Sequence, residues 1–155
     1  MVGSLPALQP ADVVSETLKT FQYLEKRSSD LIAFETDLPK KKILLPLNSQ
    51  LFSWTLENLI KNGIDAMKGK GKITLRFFEW PQSISIEISD TGSGIKREHF
   101  KKIFSPGFTT KKRGWGLGLS LAKRIISDYH MGKISVKYSE LGNGTTFEIV
   151  LKRYG

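Results

Sequence analysis

The sequence predicts an α+β fold: a two-layer α/β sandwich whose mixed, mostly antiparallel sheet carries its helices on one face. Three observations carry that prediction. Two long segments repeat apolar residues at spacings of three and four, the stripe of a helix packed on a sheet. Four later segments have strand character and come as two pairs, each joined by a short turn, so the strands form hairpins rather than a repeating βαβ series. The whole order then reads helix, strands, helix, two strands, helix, helix, two strands.

Taken in order, Val13 to Lys26 has helical spacing through Val14, Leu18, Phe21 and Leu24. "DLIAFETDL" and "KKILLPL" read as short strands around a basic turn, with Pro39–Lys42 a solvated charge run. Asn48 is placed to cap a long helix through Met67, in which Phe52, Leu56, Leu59, Gly63 and Ala66 form the apolar stripe. "KGKGK" ends it. "ITLRFFEW" and "SISIEISD" follow as a hairpin around Pro81-Gln82; Ile84, Ile86 and Ile88 alternate with Ser85, Glu87 and Ser89, so one face is expected to be buried. A short helix is expected over Lys96–Ile103. A longer one, from about Gly116 to Tyr129, places Leu117, Leu121, Ile125 and Tyr129 on one side. "GKISVKYS" and "GTTFEIVLK" close the chain as a hairpin around "ELGNG".

Composition narrows the function. The 155 residues fit one domain, 1–155, with a sizeable core, and 39% hydrophobic with 25% charged residues is globular usage. No apolar run approaches the roughly 18 residues needed to cross a membrane. The start, "MVGSLPALQPADVV", lacks the basic-then-apolar order of a signal peptide. Met1 to Ser4 is read as a cloning remnant. The absence of cysteine excludes disulfides, thiolate catalysis and cysteine-ligated metal, and two histidines are too few for a multi-histidine centre. The net charge of +9 attracts anions: nucleotides, nucleic acid or acidic proteins. Without aromatics interleaved in a basic patch or a recognisable reading module, no nucleic-acid partner is expected.

Four stretches could carry chemistry. In "SDTGSGI", Asp90 ends a strand and Gly92 and Gly94 follow. A carboxylate beside backbone without Cβ atoms can receive a flat, amine-bearing ring; a plain turn is the alternative. In "LENLIKNGIDAM", Asn58, Asn62 and Asp65 share a helix face. Their oxygens could serve Mg²⁺, which keeps several waters and binds substrate phosphates; a solvated face is the alternative. In "TTKKRGWGLGLSLAKRI", Gly114, Gly116 and Gly118 precede a helix, an arrangement that can hold an anion or act as a hinge. Lys111, Lys112 and Arg113 could add charge-assisted contacts to phosphate. The ladder is neither a dinucleotide fingerprint, since a basic loop rather than a strand precedes it, nor a P-loop, which ends Gly-Lys-Ser/Thr. "LGNGTTF", alone, is a hairpin turn.

Together these stretches resemble the ATP-binding catalytic domain of sensor histidine kinases, in the superfamily shared with DNA gyrase, the mismatch-repair MutL proteins and a heat-shock chaperone. "ENLIKNGIDAM" resembles its asparagine box, "DTGSGI" and "GWGLGLSLAKRI" its two glycine boxes, "IFSPGFTTK" its phenylalanine box and "GNGTTFEI" its closing Gly-Thr motif. The resemblance covers about Leu8 to Lys152 and implies the Bergerat-type ATP-binding fold. It implies that Asp90 binds the adenine amino group, with Thr145 supporting through water, and that Gly92 and Gly94 shape the base pocket. Asn62 would ligate Mg²⁺ with Asn58 close by. Gly116 and Gly118 would offer N–H groups to phosphate, and Lys111 to Arg113 would belong to a lid anchored by Phe104 and Phe108. The implied site takes in Asp65, Ile95, Thr109, Thr110, Gly114, Trp115, Leu117 and Leu119 as well. Asn58, Asn62 and Lys111 would take part in catalysis.

The resemblance also implies a reaction. Relatives that hydrolyse ATP or phosphorylate serine carry a glutamate four residues before the metal asparagine. Here that position is Asn58, which cannot usefully accept a proton. Water and serine need help losing a proton, whereas a neutral imidazole is already nucleophilic. Asn58 therefore favours a histidine acceptor. Glu57, about 100° round the helix, leaves open a serine kinase or ATPase, and a non-catalytic nucleotide-gated module is a further alternative. Two departures from the family pattern, Trp115 and Gly107, bear on the lid. His99 and His130 lack the following acidic residue of the family's phosphoacceptor, so the acceptor is expected on a helical dimerisation domain outside this chain, with a response regulator downstream. A monomeric, cytoplasmic fragment is implied, reaching a membrane only through a parent sensor.

Overall fold

The computed structural model describes residues 7–108 and 118–153. Its two long helices begin where their caps stand. Helix α1 (Val13–Glu25) starts at Asp12, whose carboxylate accepts the N–H groups of Val14 at 3.2 Å and Ile43 at 3.1 Å. Helix α2 (Ser49–Met67) starts at Asn48, whose side chain accepts the Leu51 N–H at 3.0 Å. It ends at Lys68 in the left-handed conformation, φ 54°.

Among the described residues, seven strands form two sheets. β1 (Gln9–Asp12) pairs antiparallel with β3 (Leu44–Leu47) in a small ribbon. The main sheet runs β2 (Ile32–Asp37), β4 (Gly71–Glu79), β5 (Ser83–Asp90), β7 (Gly144–Lys152), β6 (Lys133–Glu140). β2 and β4 are parallel and every other pair is antiparallel, so the mixed, mostly antiparallel sheet is present as expected. Phe21, Phe52, Leu56, Leu59 and Ile60 from the helices meet Ile73, Leu75, Ile84, Ile86, Ile88 and Ile149 from the sheet, all but fully buried.

Several elements differ from expectation. The strands flanking the basic turn exist but belong to different sheets: Phe34 of β2 packs its ring 5.0 Å from Phe21, which draws that strand beside β4. β1, with a proline and no apolar alternation, was not foreseen. The short helix is two 3₁₀ turns, Arg97–His99 and Lys102–Phe104. In the third helix, α3 (Gly118–Arg124) passes into a π turn, Ile125–Tyr129. The buried side there is Ala122, Ile125 and Ile126, with Leu119 packed against the core, while Leu121 is 39% exposed. Of the expected stripe, Ile125 is on the buried side and Leu121 is not, while Leu117 lies outside the described residues.

The outer face of β5 is also covered. Ser85 and Glu87 are buried although they point away from the helices. Long neighbours do this: Lys137 bridges Glu87 and Glu148 and stands 5.4 Å over the Phe78 ring, and the Trp80 indole donates to Ser85 at 3.2 Å. No helix among the described residues is long and apolar enough to cross a membrane.

Candidate functional site

Asp90 closes β5 at the central strand's end, and its side chain faces α2 rather than solvent. Gly63 is the point where the helix passes over it; a Cβ there would stand 3.2 Å from the Asp90 carboxylate. The Gly92 N–H donates to Asp90 Oδ1 at 2.8 Å, and the Thr145 N–H donates to the same carboxyl. Burial nevertheless outweighs both donors and raises the carboxyl from 3.8 to about 6. Thr145, almost fully buried, lies directly opposite Asp90 in the β5–β7 ladder.

The loop after Asp90 is stitched down on two sides. The Ser93 N–H donates to Ala66 of α2 at 3.1 Å, and the Gly142 N–H donates back to Ser93 at 2.8 Å. A Cβ at Gly92 would strike Ala66, and one at Gly94 would strike the Glu140 carbonyl, from a backbone at φ 80° that already favours glycine. Both glycines therefore let the loop seat against α2 and the β6–β7 turn. Ile95, packed on the core, donates its N–H to the hydroxyl of Ser139 at 2.7 Å.

Ser139 reaches the site because β6 is bulged. Register shifts between Val136 and Tyr138, so Lys137 and Tyr138 both face outward and Ser139 turns inward, opposite Thr145. Its oxygen lies 2.8 Å from Thr145 Oγ1 and 3.0 Å from the Gly144 carbonyl. Nothing in the spacing of "KISVKYSELGNG" signals this phase change; an unbroken alternation from Val136 would put Ser139 outside.

Along α2, Asn58, Asn62 and Asp65 lie on one side as their spacing requires. Asn58 donates from Nδ2 to the Trp54 carbonyl at 2.9 Å, which turns its Oδ1 towards α3; a Cβ on Gly118 would lie 2.6 Å from that oxygen. Glu57 lines a different surface, the groove between α1 and α2, with Glu16, Lys19 and Trp54. Phe104 packs edge-on to Phe147 at 6.3 Å, and Phe108 meets the His99 ring at 5.2 Å. His130 is structural: Nε2 accepts the Asn48 N–H and Nδ1 meets the Ile125 carbonyl, each at 3.0 Å, and burial lowers its pKa. The expectations for Thr109, Thr110, Lys111, Lys112, Arg113, Gly114, Trp115, Gly116 and Leu117 concern residues outside the described set.

The assembled groups suit a nucleotide. A buried carboxylate and a threonine at a strand end match an exocyclic amine, and the Asn58–Asn62 face leads from there towards Gly118. No cluster of three or more His, Asp or Glu side chains that could hold a metal occurs among the described residues. A cation here would rest on an amide oxygen, waters and the ligand's own phosphates, the preference of Mg²⁺.

Comparison with known proteins agrees. Residues 48–155 match the family described as histidine kinase-, DNA gyrase B-, and HSP90-like ATPase. The signal transduction histidine-protein kinase AtoS of Escherichia coli (strain K12) is 41% identical over 70% of this chain and 18% of its own length. The adaptive-response sensory kinase SasA of Synechococcus elongatus is 34% identical over 98% of this chain and 41% of its own length. Among solved structures, the catalytic domain of histidine kinase ThkA superposes with a TM-score of 0.80 at 28% identity, covering 95% of this chain and 96% of that one. The same kinase has been solved in complex with a response regulator protein, TrrA, and superposes there with a TM-score of 0.81 at 26% identity, over 95% of this chain and 42% of that one. This chain thus spans well under half the length of these curated relatives.

Proposed function

The chain belongs to the histidine kinase-, DNA gyrase B-, and HSP90-like ATPase family, and on that premise we propose that it binds Mg-ATP and directs the γ-phosphoryl group to a histidine on a helical dimerisation domain outside this sequence. The observation that carries the proposal is the buried Asp90 carboxylate paired with Thr145 at the foot of the asparagine face of α2. When bound, Mg-ATP supplies the transferable phosphoryl group while the metal offsets phosphate charge. Asp90 would accept the adenine amine, and its two backbone donors keep the carboxylate turned to the pocket. Asn62 would turn its amide oxygen to the metal. Asn58, fixed between Trp54 and Gly118, would hold the start of α3 against α2, so the phosphates lie along one wall. Positioning and charge neutralisation then do most of the work.

Two observations favour histidine as the acceptor. Asn58 offers no base at the position facing α3, and Glu57 points into the α1–α2 groove, away from Asp90. By likeness to the ThkA–TrrA pair, the phosphoryl group would pass on to a response regulator. The chain would act as a monomeric domain within a longer sensor, in the cytoplasm.

Calorimetry with Mg-ATP and Mg-ADP tests the first half, with saturable binding expected. A folded sample that binds neither would sink the proposal. Supplying a histidine-bearing helical hairpin with ATP tests the second half. Acid-labile phosphohistidine is expected; acid-stable phosphoserine, or steady phosphate release abolished by Glu57→Ala, would transfer the assignment to the serine kinase or ATPase class.

A further inference from the structure

We infer that Ser139 is a positioning residue for base selection: it commits the Thr145 hydroxyl to act as an acceptor towards the pocket, so that a purine carrying an amine is preferred over one carrying a carbonyl at the same place. The inference rests on the nucleotide reading above. Three groups meet the Ser139 oxygen: the Ile95 N–H at 2.7 Å, the Gly144 carbonyl at 3.0 Å and Thr145 Oγ1 at 2.8 Å. A serine hydroxyl has one proton and two lone pairs. The amide can only donate, so it occupies one lone pair. The carbonyl can only accept, so it takes the proton. What remains for Thr145 is a lone pair, and Thr145 must therefore be the donor in that bond.

Thr145 is then left with lone pairs alone. It stands across the ladder from Asp90, whose carboxylate also accepts, and the two are 4% and 7% exposed. The floor of the pocket thus offers acceptors only, where little water can repair a mismatch. An exocyclic amine satisfies it; an oxygen in the same place sets lone pairs against lone pairs, the kind of mispairing that discriminates strongly when buried. Thr145 alone would not impose this, since a free hydroxyl rotates to suit donor or acceptor. The β6 bulge, by turning Ser139 inward, is what removes that freedom.

The experiment compares dissociation constants for ATP and for ITP, whose base carries an oxygen in place of the amine. The wild-type protein is expected to prefer ATP, and Ser139→Ala to narrow the ATP-to-ITP ratio by about fivefold to tenfold, the worth of one hydrogen bond. Ser139→Thr, which keeps the hydroxyl, should hold the wild-type ratio. Should Ser139→Ala fail to fold, Thr145→Val decides: it deletes the hydroxyl but spares the Ile95 and Gly144 contacts, and it should narrow the ratio likewise. A purely structural role weakens both nucleotides by the same factor. An unchanged ratio in the folded variants would overturn the inference and leave the nucleotide reading standing. A folded wild-type protein that binds neither nucleotide overturns that reading itself, and this inference with it.

Discussion

At Asp90, the residue proposed to accept the adenine amine, burial raises the carboxyl to about 6, within reach of ordinary buffers. The amine needs the charged acceptor. Affinity for Mg-ATP should therefore be level above pH 6 and fall below it by up to about tenfold per unit; titration calorimetry between pH 5 and 8 checks this. Asp90→Asn should lose most of the affinity and flatten the profile. The ligand-free protein behaves in the opposite sense. A carboxyl raised on folding contributes stability that is fully present below 3.8 and is lost as pH rises through about 6. Two glycines make a second contrast. Gly94 and Gly107 both have φ near 80°, but a Cβ at Gly94 meets the Glu140 carbonyl and one at Gly107 meets nothing within 4 Å. Gly107→Ala should cost about 1 kcal/mol, the left-handed penalty alone, and Gly94→Ala clearly more, as denaturant melts would show. The placement of Asp90 at a strand end and of the asparagines on one helix face was legible because their motifs are local. Ser139 was not, since it depends on a bulge that leaves no mark in residue spacing; Gly63 was read as part of the apolar stripe of α2, but its approach to Asp90 depends on where the helix crosses the strand.

Among the elements, α2 and the π turn share a clasp. His130 sits at the end of that turn and caps the amide of Asn48, which in turn caps α2. With Nε2 accepting from an N–H, the ring is neutral and its proton is on Nδ1, facing the Ile125 carbonyl. Its depressed pKa contributes stability that is complete above the unfolded value of 6.5 and is lost as pH falls through the folded one. His130→Ala should cost about 1–3 kcal/mol by stranding the Asn48 donor. It should also reduce the slope of stability against pH below 6.5, read from urea melts at pH 5, 6 and 7.5. The two long helices were legible at this scale because caps and apolar stripes are short-range signals. The separate ribbon of β1 and β3, and the parallel place of β2, were not, since they are decided by packing between distant segments such as Phe21 on Phe34.

Across the described residues, the three α-helices lie on one face of the sheet, and on the other face β5 is roofed by side chains of its neighbours. Lys137 is the centre of that roof, and Glu87 beneath it is buried. Lys137→Met should cost about 1–3 kcal/mol by leaving the carboxylate uncompensated. The double variant Lys137→Met with Glu87→Gln should recover part of the loss, and thermal melts of the four proteins in the cycle measure the coupling. The extra residue between Val136 and Tyr138 is Lys137 itself: its side chain adds to the roof, and its insertion brings Ser139 to the inner face. For that reason the strand can lose this one codon and keep the phase of its neighbours. Removing Lys137 would restore plain alternation and leave Tyr138 outside, opposite Thr146, and Ser139 inside, opposite Thr145. An in-frame deletion of those three nucleotides would thereby uncover Glu87 and leave the lining around Thr145 as it is.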